Sequence, residues 1–207
     1  GELVIIAGRP GHGKSAIASN IVTNLTLTRQ KTVAVFSLEM SGRELIFRQI
    51  CAEAPLDKYE IGSCPLDWNR ITEVCGKLTG SKLYIDQSSG LSISELQARA
   101  NRLHLEHKLD MVVVDYVQLM DGMVSKSDNR EREISRISRG LKVLAGDLNI
   151  PVIALSQLNR EIEKTFRRPM LSDLRESGSL EQDADVVLFI WRDEMRSKTP
   201  DNEGKAE

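Results

Sequence analysis

Gly8-Arg9-Pro10-Gly11-His12-Gly13-Lys14-Ser15 decides the fold of this chain. The stretch satisfies G-x-x-x-x-G-K-[S/T] at every fixed position. Leu3, Val4, Ile5, Ile6 and Ala7 run straight into it, and Ala18, Ile21, Val22 and Leu25 follow at helical spacing. Strand, loop and helix in that order are what a phosphate-binding loop requires. Glycines let the backbone wrap a phosphate chain so that its N–H groups point inward at the helix N-terminus, where the dipole favours anions. The expected nucleotide-contacting set is therefore Gly8, Arg9, Pro10, Gly11, His12, Gly13, Lys14, Ser15 and Ala16. Lys14 reaches for the outer phosphates of ATP, and the Ser15 hydroxyl is a ligand for Mg²⁺. His12 stands where the pattern is free and is expected to have little effect.

The rest of the chain suits one α/β domain. Its 207 residues suffice for a full hydrophobic core, and 41% apolar with 28% charged residues is ordinary globular composition. A net charge of −2 supplies no global basic field for polyanions, so any nucleic-acid surface must be local. Cys51, Cys64 and Cys75 are odd in number and form no C-x-x-C, which supports neither a disulfide framework nor a zinc site. Reduced thiols and a cytoplasmic location are the expectation. No signal peptide, membrane-length apolar run or internal repeat is present. Beginning without Met and directly on a strand, the sequence reads as a piece of a longer protein. Residues 1–195 are expected to form the domain, and 196–207 a polar, disordered tail.

Apolar runs and capping signals lay out the elements. Val33 to Phe36, Leu83 to Asp86, Met111 to Asp115, Pro151 to Ser156 and Val186 to Trp191 read as strands. Ser41 with Glu44 and Ser92 with Glu95 are capping boxes that open helices, the second running to about Glu106, with Leu91 and Leu96 placed as a hydrophobic staple. In the first of these helices Leu45, Ile46 and Ile50 share a face. A further helix spans Asp67 to Leu78, and another carries Ile134, Ile137, Leu141, Leu144 and Leu148 on one face with Arg132, Arg136 and Arg139 on the other. Gly122 to Asn129 reads as a mobile loop, and Asn159 to Asp185 as a polar connection. Nearly all-apolar strands alternating with helices argue for a mostly parallel sheet covered by helices on both faces.

Ligands of such sheets bind beyond the carboxyl ends of the strands. Those ends carry Gly8 to Ser15, Glu39, Asp115 and Gln157, a nucleotide-hydrolysing set. Asp115 closes a hydrophobic run as a Walker-B aspartate does and is the second expected Mg²⁺ ligand, the alternative being an aspartate that opens an ordinary loop. The next residue is Tyr116 rather than Glu, so the base must come from elsewhere. Glu39 is the candidate to orient and activate water, with a solvated loop carboxylate as its alternative. Gln157 can donate to a γ-phosphate and accept from water at once; alternatively it is a structural amide at a strand end. Lys14, Glu39 and Gln157 form the expected catalytic set.

Two loops carry local positive charge. Asp121 to Lys142 holds Lys126, Arg130, Arg132, Arg136, Arg139 and Lys142, and Asn159 to Arg175 holds Arg160, Lys164, Arg167, Arg168 and Arg175; each is net +2. With Phe166 as their one aromatic, backbone tracking is favoured over base stacking.

Together these stretches resemble the DnaB-family replicative helicases. The resemblance rests on Gly8 to Ser15, Phe36-Ser37-Leu38-Glu39-Met40-Ser41, Val114-Asp115-Tyr116-Val117-Gln118-Leu119-Met120, Ala154-Leu155-Ser156-Gln157-Leu158-Asn159-Arg160 and the run from Asp173 to Asp185. It implies a RecA-like P-loop NTPase fold and a hexameric, ATP-driven motor that translocates on single-stranded DNA and meets a primase and a helicase loader. Arg175, Glu176 and Gly178 match the loop that holds DNA, and Arg48 matches a position near the γ-phosphate. The chain ends before the strand where the family carries its basic fingers, so the piece alone is expected to be a weak ATPase. A RecA-like recombinase or clock-type ATPase, and a nucleotide-switched scaffold or loader, are the rival readings.

Overall fold

The computed structural model describes residues 1–54, 68–88, 90–120, 130–159, 162, 167–195 and 205–206, with only the backbone of 130 and 175–178. The expected mobile loop, the tail from 196 apart from two residues, and Cys64, Lys126, Arg160, Lys164 and Phe166 lie outside the described residues.

Six strands form the sheet: β1 (Leu3–Gly8), β2 (Val33–Ser37), β3 (Leu83–Asp86), β4 (Met111–Asp115), β5 (Val152–Gln157) and β6 (Val186–Ile190). Every pairing is parallel, in the order β3-β2-β4-β5-β1-β6. The helices are α1 (Lys14–Thr23), α2 (Gly42–Glu53), α3 (Trp68–Thr79), α4 (Ile93–His107), α5 (Arg130–Leu148) and α6 (Gly178–Asp183). Both capping boxes form with reciprocal bonds, Ser41 with Glu44 and Ser92 with Glu95. Past its last turn, α1 widens into a π-helical turn at Asn24–Thr28, where fully buried Thr26 donates to the Val22 carbonyl.

Strand alternation divides the core in two. Leu3, Ile5, Ala7, Ala34, Phe36, Val112 and Val114 face α4 and α5, joining Ile93, Leu96, Ala100, Ile134, Ile137 and Leu141. Ile6, Val33, Val35, Met111, Val113 and Leu155 turn the other way, onto Ala18 and Val22 of α1 and Leu45 of α2. Leu91 and Leu96 are both buried, as their staple positions require. The close approach of α4 to α5 depends on Gly140, where a Cβ would lie 2.3 Å from Ile93 Cγ1.

Three expectations need correction. In α2 the buried residues are Leu45 and Gln49, while Ile46 and Ile50 are half-buried, because the helix packs at the edge of the sheet. The connection from 159 to 185 holds a 3₁₀ segment (Leu171–Ser177) and α6, with Leu174 and Leu180 in the core. At the sheet edge, β6 is not covered on both faces: Val186 and Leu188 are exposed.

Candidate active site

The chain leaves β1 and β2 toward the α1–α2 face, and β3 and β4 toward the α4–α5 face. Where connections diverge in this way, a crevice opens at the carboxyl ends of the strands. It is a cleft of about 760 Å³, lined by Pro10, Gly11, Gly13, Lys14, Ser15 and Ala16 from the loop after β1. Glu39, Arg48 and Gln157 join them from the end of β2, from α2 and from the end of β5. These are the positions at which sequence reasoning expected phosphate and water chemistry.

Gly13 adopts φ 101° and ψ 17°, a left-handed conformation that glycine takes without a Cβ penalty, and from there α1 begins. Unlike α2 and α4, α1 has no side-chain cap and no acidic residue in its first turn, which leaves its leading N–H groups for an anion. Lys14 Nζ donates to the carbonyls of Gly8 (2.9 Å) and Arg9 (3.2 Å). Burial lowers its pKa, and the Asp115 and Glu39 carboxylates act against that.

Asp115 is buried beneath the loop. Its carboxyl accepts from the Ser15 side chain, and burial raises its pKa, an effect the Ser15 hydrogen bond partly offsets. Asp115 Oδ1 is buried with no hydrogen-bond partner. An orphan carboxylate oxygen beside a serine hydroxyl is an all-oxygen donor set that fits a hard divalent cation. Among the described residues no cluster of three His, Cys, Asp or Glu could hold a metal. Glu39 and Arg48 are exposed at the cleft mouth.

Three members of the expected nucleotide set do not line the cleft. Gly8 lies at the end of β1, pairing with Gln157. Arg9 is buried, and its Nη1 donates to the Leu158 carbonyl (2.8 Å), which ties the loop to the exit of β5. His12, which the loop pattern leaves free, is buried as well. Its ring packs on Trp191 with centroids 5.4 Å apart, and its Nδ1 accepts from Arg192 N at 3.2 Å. Burial, then the neighbouring cations Lys14, Arg192 and Arg9, lower its pKa and favour the neutral form that can accept at Nδ1.

Sequence reasoning missed Arg192, which lines the cleft and pairs with Glu194. Its one signal was its place directly after the last strand. The run from Asp173 to Asp185 also holds more structure than expected. Asp173 accepts two bonds from Arg167 (2.6 Å each) and one from Met170 N; Asp183 accepts from Ser138 Oγ (2.6 Å). Asp185 accepts from Leu3 N (2.7 Å) and from Lys142 Nζ (2.6 Å). Arg167 and Lys142 are thus engaged in ion pairs, which reduces the basic charge those two loops present. Arg175 and Glu176 fall in the 3₁₀ segment and Gly178 opens α6; their side chains lie outside the described residues.

A sequence model of the DnaB-like helicase C terminal domain matches residues 1–207. The replicative DNA helicase DnaB of Geobacillus stearothermophilus is 44% identical over 205 residues, covering 97% of this chain and 45% of the relative. That of Buchnera aphidicola subsp. Schizaphis graminum is 47% identical over 212 residues, covering 100% and 45%. The chain therefore spans less than half the length of the curated relatives it matches. Among solved structures, one described as an ATPase domain superposes with a TM-score of 0.92 at 34% identity, covering 99% of this chain and 74% of that one. A DnaB-like replicative helicase, solved with its interactions with primase, gives the same TM-score and identity and covers 99% and 50%. With a P-loop, a buried aspartate and a strand-end glutamine around one cleft, and a match along its full length, this chain belongs to the DnaB-like helicase C-terminal domain family.

Proposed function

We propose that this chain is the ATP-hydrolysing motor domain of a replicative DNA helicase, coupling nucleotide turnover to movement along single-stranded DNA. The observation that carries the reading is the convergence of Lys14, Ser15, Glu39, Arg48 and Gln157 on one cleft with Asp115 beneath it. Lys14 exchanges its carbonyl partners for the outer phosphates of ATP. Ser15 and Asp115 hold Mg²⁺, which when bound neutralises charge on the phosphate oxygens. Glu39 accepts a proton from the attacking water, and Gln157 orients that water against the γ-phosphate. Arg48 adds positive charge near the γ-phosphate, whose oxygens carry negative charge in the transition state.

Glu39 and Arg48 stand exposed at the mouth, which supports a site closed by a neighbouring copy in a hexameric ring. Arg175, Glu176 and Gly178 belong, in this reading, to the DNA-holding loop, and the exposed Arg132, Arg136 and Arg139 of α5 add basic surface. Primase and a helicase loader are the further partners, and the bacterial cytoplasm is where such a motor works. No helix among the described residues is long and apolar enough to cross a membrane.

The test is unwinding of a forked duplex by the full-length protein, beside Lys14→Ala and Glu39→Gln. Lys14→Ala is expected to lose nucleotide binding and unwinding, whereas Glu39→Gln keeps binding and loses at least about 100-fold in turnover. Hydrolysis without unwinding in the wild type would remove the helicase reading and leave an ATPase; turnover undiminished in Glu39→Gln would move the base elsewhere.

A further inference from the structure

Strands β4 and β5 pair only from Val112 to Val114 against Val152 to Ala154, whereas β5 runs on to Gln157 beside β1. On the β4 side, Leu155, Ser156 and Gln157 have left the ladder. The side chain of Gln118 enters this split. Its Oε1 accepts from Gln157 N at 3.2 Å, while its Nε2 donates to the Gln157 carbonyl at 3.2 Å and to Ser156 Oγ at 2.9 Å. The first two are the pair of bonds that a strand residue exchanges with a paired neighbour. A side-chain amide here substitutes for a missing length of strand.

Chemistry selects the residue type. The site asks for one acceptor facing an N–H and two donors facing a carbonyl and a hydroxyl, an array that a primary amide alone provides. Reversing the amide would set N–H against N–H and C=O against C=O, so one orientation satisfies it. The backbone that presents Gln118 is itself held: it sits in the 3₁₀ turn Val117–Leu119, with Val117 and Met120 buried on either side. Ser156 is fully buried. Gln118 does not line the cleft; Gln157 does.

We infer that Gln118 is a positioning residue for ATP hydrolysis: by clamping the backbone of Gln157 it holds that side chain in the orientation that aligns water with the γ-phosphate. The inference rests on the hydrolytic reading of the cleft. A side chain aimed from a strand end held by a neighbouring strand on one side only has rotational freedom that costs rate without costing affinity, because small misplacements of a catalytic group weaken the transition state first. The loss should therefore fall on kcat rather than on KM.

In the full-length protein with single-stranded DNA present, Gln118→Met, of similar volume, is expected to lower kcat about tenfold with KM for ATP within about twofold. Combined with Gln157→Ala it should produce no further fall, since its effect passes through Gln157. Gln118→Asn keeps the primary amide on an arm one methylene shorter, so it should fall between wild type and Gln118→Met; it also serves if Gln118→Met fails to fold. An unchanged kcat in both variants would overturn the inference, as would a full additional loss in the Gln157→Ala background. Lys14→Ala in parallel separates the two readings. Hydrolysis by the wild type that disappears in Lys14→Ala upholds the nucleotide site whatever Gln118 does, and no hydrolysis in the wild type would remove both.

Discussion

His12 occupies a position that the loop pattern leaves open, yet it is only 7% exposed and bridges the P-loop to the segment after β6. Its imidazole does two things at once: the ring fills space against Trp191, and Nδ1 satisfies the Arg192 amide. His12→Phe keeps the first and removes the second, leaving a backbone donor unpaired at a cost of about 1–3 kcal/mol. Urea unfolding should register that loss. Nucleotide affinity should fall with it, because Arg192, which lines the cleft, is fixed through the same bond; unchanged affinity would confine His12 to a packing role. Arg9 teaches the same lesson in reverse. An arginine inside a phosphate-binding loop invites a phosphate role, and burial beside the Leu158 carbonyl turns it into a brace.

At the scale of elements, the connection between β5 and β6 departs furthest from its sequence reading. It has no helical or strand periodicity of length, so its order comes from carboxylates placed on donors, within the connection for Asp173 and far from it in sequence for Asp183 and Asp185. Asp173 is the clearest of these. The Arg167 guanidinium, aided by the Met170 amide, holds its carboxyl below the usual carboxylate range. A carboxyl depressed in the folded state contributes stability that is complete above its unfolded value and is lost as pH falls through the folded one. Asp173→Asn is therefore expected to lower the thermal midpoint at neutral pH by about 2–4 °C and to flatten its decline below about pH 4. An acid profile parallel to wild type would show that the Arg167 pair contributes nothing to the fold. The starts of helices α2 and α4, by contrast, were legible to the residue, because a capping box is a contact three positions apart.

Across the whole molecule, burial is uneven. The sheet interior is closed on both faces, but β6 at one edge leaves Val186 and Leu188 exposed. Leu141, wholly buried between α5 and the sheet, should cost about 2–5 kcal/mol when replaced by Ala, whereas Leu188→Ala should cost less than about 1 kcal/mol. Equilibrium unfolding of the two variants compares them directly, and equal losses would mean that β6 carries as much of the core as the centre does. The cleft lies at the carboxyl ends of these strands, with Asp115 buried beneath it and Glu39 and Arg48 exposed at its mouth.

By itself the sequence determined whatever depends on neighbours a few residues apart. The P-loop with its left-handed Gly13, the two capping boxes, the buried strands and the strand-end placement of Glu39, Asp115 and Gln157 all follow from short-range pattern and from the rule that parallel sheets bind ligands at their carboxyl ends. Only the tertiary structure decided which of those ends meet and what steadies them. The bond from Ser15 to Asp115, the clamp of Gln118 on Gln157 and the tie of Arg192 to His12 close across long stretches of chain, the last across 180 residues. Such contacts exist only after the order β3-β2-β4-β5-β1-β6 has been set, and no local preference of the residues involved records that order.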